Sequence, residues 1–207
     1  LFSGCGGMDL GLEGQFAAFK DCINERIHPT WVRNSLSKKT VMLPKTRFET
    51  VFANDIKESA AVAWDHNFRK RRGNAGVFRT ESIVDLVKAA WNGHTIFPKK
   101  IDLVTGGFPC QDFSNAGKRN GFKSHRQHDG ALSQESTATE ENRGLLYIWM
   151  KHVINQVKPK MFIAENVQEL TTIDNALDTI QSDFADVGGG YFVQSKVGRA
   201  RDAKEVR

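Results

Sequence analysis

The stretch that most constrains this chain runs from Ile101 to Gly117. An apolar run, Ile101 to Val104, stops abruptly at Gly106 and Gly107, and Phe108-Pro109-Cys110 follows. A short apolar run bounded in this way is a buried strand whose carboxyl end opens into a tight loop. In open α/β sheets that end is where ligands bind. The two glycines let the backbone turn closely against a ligand, while Pro109 fixes its own φ and biases Phe108 towards an extended conformation. Cys110 is therefore held in a stiff setting that suits a nucleophile. An arbitrary free cysteine is more often a small core hydrophobe. Here its neighbours are glycine, proline, Gln111, Asp112 and Ser114, which do not make a core segment.

The rest of the chain repeats the pattern. Leu1 to Gly4 reads as the last residues of a strand whose beginning is missing, and the turn Gly4 to Gly7 leads into a helical pattern carrying Met8, Leu10, Leu12, Phe16 and Phe19. Thr50 to Asp55 is a second strand ending in an acid. Ala60 to Phe68 is a helix closed by Arg69-Lys-Arg-Arg72, a cluster that could meet phosphates, although cations also suit the last turn of any helix and that reading narrowly prevails. Val77 to Glu81 is a third strand, with Ser82-Ile83 at its tip and a helix through Trp91. Leu145, Trp149, Val153 and Val157 recur every four residues behind a capping box, Thr137 to Glu140, and predict a core-facing helix. Met161 to Ala164 is the next buried strand, with Glu165-Asn166 at its tip. A further helix and the run Gly188 to Gly190 lead to a last strand, Tyr191 to Val197. Alternating short strands and helices predict an α/β fold with a doubly wound, mostly parallel sheet.

Two segments break the alternation. Between Asn24 and Thr50 six cations (Arg26, Arg33, Lys38, Lys39, Lys45, Arg47) face only Glu25 and Glu49. This is an insertion longer than the usual connection, and its composition fits either a solvated basic loop or a flap that meets DNA. Lys118 to Asn142 is polar with scarcely an apolar residue, and reads as a mobile segment that closes over a target or as a disordered insertion.

With 207 residues, 40% of them hydrophobic and 26% charged, the chain is long enough for one domain with a substantial core. No apolar stretch reaches bilayer length and no signal-peptide pattern opens the chain, so the expectation is an intracellular protein that does not enter a membrane. Cys5, Cys22 and Cys110 form no CxxC pair, and His125 and His128 have no companion ligands, so no metal is expected. A net charge of +5 suits a polyanionic partner without requiring one.

Gly107-Phe-Pro-Cys-Gln111, with Phe113, Ser114, Gly117 and Gly121-Phe122, resembles the catalytic loop of the DNA (cytosine-5)-methyltransferases. Phe2-Ser-Gly-Cys-Gly-Gly7 resembles their cofactor loop and Glu165-Asn-Val167 their second catalytic motif. Together with Arg143-Gly-Leu-Leu146 these matches stand in the family's order and span nearly the whole chain.

The resemblance implies a Rossmann-like methyltransferase fold, with residues 1–207 forming an incomplete catalytic domain. The implied cofactor is S-adenosylmethionine, leaving S-adenosylhomocysteine. Phe2 and the backbone of Cys5, Gly6 and Gly7 would lie near adenine and methionine, Asp55 on the ribose, and Ile56, Ile83 and Leu146 around the adenine and the pocket. Gly4, Ser82 and Pro109 complete the cofactor set. Cys110 would be the nucleophile, Glu165 the acid, its pKa raised by partial burial, and Asn166 the residue that orders the loop. Gln111 and Ser114 would contact double-stranded DNA around an extruded cytosine. A monomeric, cytoplasmic enzyme of a bacterial or phage restriction-modification system is implied.

The chain departs from the family pattern at several points. Asp55 replaces a more frequent glutamate, and Ser82 stands where an aspartate is common. Arg199-Ala-Arg201 lacks the glutamine of a Gln-x-Arg-x-Arg motif, and neither a target-recognition domain nor the late cofactor-site helix is found, so the chain reads as a fragment of a catalytic domain or one with segments omitted. A tRNA cytosine-5 methyltransferase and a silent DNA-binding paralogue are the alternatives.

Overall fold

The computed structural model describes residues 1–72, 78–109, 146–172 and 175–198, with the backbone alone over 69–72. Two compact units are present: Leu1–Gly6 with Val51–Ser195, and Gly7–Thr50 with Lys196–Arg207.

The larger unit is mixed α/β. Strand β3 (Ala53–Asn54) pairs in parallel with β4 (Phe78–Arg79), and β5 (Leu103–Gly106) pairs in parallel with β6 (Met161–Ala164). The backbone N–H of Leu1 donates to the Thr105 carbonyl at 2.7 Å, and that of Ser3 donates to the Asn54 carbonyl at 2.7 Å, so the opening residues bond to both parallel pairs. The second and third strands are shorter than the sequence predicts. Part of the missing ladder is supplied by a side chain: buried Asn54 donates from Nδ2 to the carbonyls of Arg79 and Glu81 at 3.0 and 2.8 Å. A buried amide satisfied in this way costs little and extends the pairing beyond the strand.

Helices α2 (Glu58–Arg72), α3 (Ile83–Trp91), α4 (Leu146–Val157) and α5 (Ala176–Ala185) complete the unit. Of the expected stripe, Trp149 and Val153 of α4 pack with Leu146 against Ile83, Val84 and Val87 of α3, partly buried Val157 packs against the same cluster, and Leu145 lies outside the described residues. A second stripe, Tyr147, Met150 and Ile154, packs against Val104, Ile180 and Phe184. Two apolar faces make α4 the central helix of this core, and truncating Ile154 to alanine is expected to cost about 2–5 kcal/mol. Close approach of α4 to β5 depends on Gly106, where a Cβ would fall 2.6 Å from Met150 Sδ. The capping box at Thr137 to Glu140 lies outside the described residues.

Two expectations are corrected. β6 is not buried: Met161 and Ile163 are 49% and 38% exposed, because alternate side chains leave a strand on opposite faces and only Phe162 reaches Phe184 and Tyr191. Tyr191 to Val197 forms no strand. Gly188, Gly189 and Gly190 all have positive φ and wind a turn. That turn sends the Tyr191 N–H to the Ala185 carbonyl (2.9 Å) and its hydroxyl to the Pro159 carbonyl (2.6 Å).

In the smaller unit helix α1 (Gly7–Glu13) ends earlier than the apolar pattern suggests, and Phe19 belongs to strand β1 (Ala17–Phe19). This strand pairs antiparallel with β2 (Thr40–Met42), so the segment expected to be an irregular insertion holds half of a ladder. Gly14, at φ +70°, closes the helix where a Cβ would fall 2.1 Å from the Pro44 carbonyl oxygen. Among the described residues no helix is long and apolar enough to cross a membrane.

Candidate active site

Within the larger unit, the carboxyl ends of four strands meet at a cavity of about 250 Å³. Asp55 follows β3, Ser82 and Ile83 follow β4, Pro109 follows β5, and Glu165 and Asn166 follow β6. Phe2, Ile56 and Leu146 add apolar wall. Nine residues selected from sequence thus line one space. Lys57, Gly107, Phe108 and Val167 line it too. Lys57 carries no sequence signal beyond its place two residues after Asp55.

One side of the cavity rests on the loop after Leu1. Gly4, at φ +52°, donates its N–H to Asp55 Oδ2 at 3.0 Å, while Asp55 Oδ1 accepts the N–H of Lys57 at 2.9 Å. The carboxylate therefore fixes the glycine turn and its own connection to α2, and with roughly four lone-pair sites it retains capacity for a ligand hydroxyl. Phe2 has φ 53°, a left-handed conformation that costs a side-chain-bearing residue about 1–2 kcal/mol. The bonds made by Leu1 and Ser3 on either side hold it there, and strain of this kind concentrates at ligand sites. Gly6 is buried at φ +85°, and a Cβ there would fall 2.6 Å from Trp64 and 2.7 Å from Phe68. It lets the turn sit on α2. Gly4, Cys5 and Gly6 do not line the cavity, and Gly7 opens α1 in the smaller unit.

Ser82 is the N-cap of α3, its hydroxyl oxygen accepting the Val84 N–H at 3.3 Å. That cap brings Ile83, 3% exposed, to the wall at the helix start. Leu146 and Phe108, each 4% exposed, belong to the core behind it.

The opposite side joins β5 to β6. Glu165 donates its backbone N–H to the Gly106 carbonyl at 2.8 Å, continuing the parallel ladder past the strand end. Its carboxylate lies against the glycine loop, since a Cβ on Gly107 would be 3.3 Å from Oε2. Asn166 donates from Nδ2 to the Phe108 carbonyl at 3.1 Å. Glu165 itself is exposed, contrary to the partial burial expected for it, because the outer face of β6 that precedes it is open. Cys110, Gln111 and Ser114 lie outside the described residues, and Pro109 is the last described residue before them.

These features define an α/β protein with an apolar-walled cavity at the carboxyl ends of its parallel strands, bearing one carboxylate tied to a glycine turn and another beside the segment Gly107 to Pro109. The chain belongs to the C-5 cytosine-specific DNA methylases: the model of that family matches residues 1–204. It is 31% identical over 204 residues to the Type II methyltransferase M.BsuRI of Bacillus subtilis, covering 98% of this chain and 38% of that protein. It is 30% identical over 209 residues to M.BspRI of Lysinibacillus sphaericus, covering 98% and 40%. With M.NgoFVII of Neisseria gonorrhoeae it shares 32% over 199 residues, covering 95% and 37%. The chain thus spans well under half the length of these relatives.

Proposed function

We propose that the protein transfers a methyl group to C5 of a cytosine flipped out of duplex DNA, as the methyltransferase of a bacterial restriction-modification system. The observation that carries this reading is the meeting of Asp55, Pro109, Glu165 and Asn166 at one cavity in a chain of this family. Both units are assigned to the catalytic domain. The two parallel pairs are read as parts of one doubly wound sheet, a reading supported by the bonds of Leu1 to Thr105 and of Ser3 to Asn54.

The cavity suits S-adenosylmethionine. Phe2, Ile56, Ile83 and Leu146 offer apolar surface for an adenine, and Asp55 keeps acceptor capacity for ribose hydroxyls. When bound, the cofactor supplies an electrophilic methyl group and is left as S-adenosylhomocysteine. The chain's own residues make C5 reactive. The Cys110 thiolate adds to C6, which breaks the ring's conjugation and moves electron density to C5. Glu165 delivers a proton to N3, where negative charge develops. After methylation, loss of the C5 proton to solvent, expulsion of the thiolate and return of the N3 proton to Glu165 restore the aromatic ring. Asn166 holds the Phe108 carbonyl and thereby the start of the loop that carries Cys110. Gln111 and Ser114 contact DNA around the extruded base.

The test is methyl transfer by the full-length protein from tritiated cofactor to duplex DNA and to tRNA. Incorporation into DNA is expected, abolished by Cys110→Ser and strongly slowed by Glu165→Gln. A duplex carrying 5-fluorocytosine should be trapped covalently on Cys110, because fluorine at C5 blocks the final elimination. Transfer to tRNA alone, or an adduct on another residue, would overturn the assignment. The family match and the relatives named as Type II methyltransferases favour DNA.

A further inference from the structure

The segment from Asn24 to Thr50 carries six cations against two carboxylates, a formal +4 where the whole chain carries +5. All six, Arg26, Arg33, Lys38, Lys39, Lys45 and Arg47, are exposed, and among the described residues none is in an ion pair. This is not a loose loop. The β1–β2 ladder closes one end, and Lys20 donates its N–H to the Lys39 carbonyl at 2.9 Å. Ser37 Oγ accepts the N–H groups of Lys39 and Thr40, each at 3.1 Å, which fixes the turn carrying Lys38 and Lys39. Asn24 Oδ1 accepts the N–H groups of Arg26 and Ile27, and His28 stacks on Trp31 with ring centroids 3.8 Å apart, so the turns bearing Arg26 and Arg33 are also built. Buried Glu13 accepts the Thr50 N–H at 2.8 Å and secures the far end.

Like charges on a fixed scaffold repel one another, and a folded module gains nothing for its own stability by presenting them. A polyanion repays the arrangement: each cation that meets a phosphate releases condensed counterions. We infer that residues 24–50 form a phosphate-binding surface for duplex DNA, holding it without regard to sequence. The ordered turns preset the cations' backbone positions, which lowers the entropy lost on binding. Phosphate contacts of this kind position a protein on DNA and do not choose a site. The inference rests on the reading that DNA is the substrate.

Two variants of the full-length protein test it: Lys38→Gln with Lys39→Gln, and Arg26→Gln with Arg33→Gln. For each pair the dependence of log K on log[salt] should flatten by roughly 0.9 for every phosphate left unneutralised, about 2 per pair. Affinity should fall about equally for every duplex sequence, while kcat at saturating DNA stays at the wild-type value and the thermal midpoint does not fall, since removing like charges relieves repulsion. Lys38→Arg with Lys39→Arg should keep wild-type affinity, separating charge from fold. Unchanged affinity and salt slope in both glutamine pairs would overturn the inference, as would a loss confined to one sequence or to tRNA. Failure of wild-type protein to methylate DNA would instead count against the proposed reaction, since the salt slope is read from binding alone.

Discussion

Asn166, beyond the end of β6, donates its side-chain N–H to the carbonyl of Phe108, beyond the end of β5, at 3.1 Å, while its own amide oxygen accepts the Val167 N–H at 2.8 Å. One side chain thereby ties two strand-end loops together, two residues ahead of Cys110. Replacing it with aspartate keeps the shape and the bond to Val167 but sets a carboxylate oxygen against the Phe108 carbonyl. Asn166→Asp should lower single-turnover methyl transfer roughly tenfold or more, the equivalent of a lost hydrogen bond plus an unsatisfied acceptor. Cofactor affinity measured by calorimetry should change little, and an unaltered transfer rate would remove Asn166 from loop positioning.

Gly107 is needed for the place of the Glu165 carboxylate. A Cβ there would come within 3.3 Å of Oε2, and because Glu165 is exposed the side chain can swing away cheaply. Gly107→Ala should leave the thermal midpoint nearly unchanged and reduce turnover. A pronounced loss of stability with normal turnover in the remaining folded protein would show that the glycine serves packing.

Asp55 holds two backbone N–H groups, those of Gly4 and Lys57. Removing the carboxylate releases the glycine turn as well as the acceptor proposed for a ribose. Asp55→Ala should weaken S-adenosylhomocysteine binding by roughly tenfold to a hundredfold, as expected for hydrogen bonds to a charged group. Asp55→Asn, which keeps one acceptor oxygen, should fall between. Titration calorimetry on both variants gives the order, and equal affinity in all three proteins would exclude Asp55 from the cofactor site.

Acid stability should depend on Asp183. Burial disfavours its ionised form, but hydrogen bonds from Lys151 Nζ at 2.8 Å and the Tyr147 hydroxyl at 2.6 Å outweigh that and hold the carboxyl below its ordinary value. Stabilisation from a depressed carboxylate is complete above the unfolded-state pKa and is lost as pH falls through the folded one. Thermal midpoints of wild type should therefore drop on acidification below the ordinary aspartate range. Asp183→Asn should start lower at neutral pH and lose part of that acid dependence. The Tyr147 phenol, raised by burial and then by its bond to Asp183, adds an alkaline limit. Its contribution declines as pH rises above the usual tyrosine value.

Much of the site was legible in the sequence because its signals are local. A glycine pair after an apolar run, a Pro-Cys step, an acid after a short strand and Ser82 before an amphipathic helix each act through the conformation of a few neighbouring residues. That chemistry alone puts Asp55, Pro109, Glu165 and Asn166 just past strand ends and Ile83 at a helix start. The spacing of Trp149 and Val153 likewise identifies one face of α4.

Tertiary structure decided what depends on distant partners. Strand β2 consists of Thr40, Val41 and Met42, too short to show a period, and exists because Ala17 to Phe19 lies alongside it. Tyr191 to Val197 reads as a strand in the sequence but joins no ladder among the described residues, and its first N–H is taken by the Ala185 carbonyl at the end of α5. Asn54 looks like an ordinary polar strand residue until Arg79 and Glu81 present their carbonyls to it. Lys57 reaches the cavity wall only because Asp55 turns the chain there. Local sequence sets the conformation each residue prefers. Which backbone groups and faces are left to be satisfied by remote segments is fixed only when the chain has closed on itself.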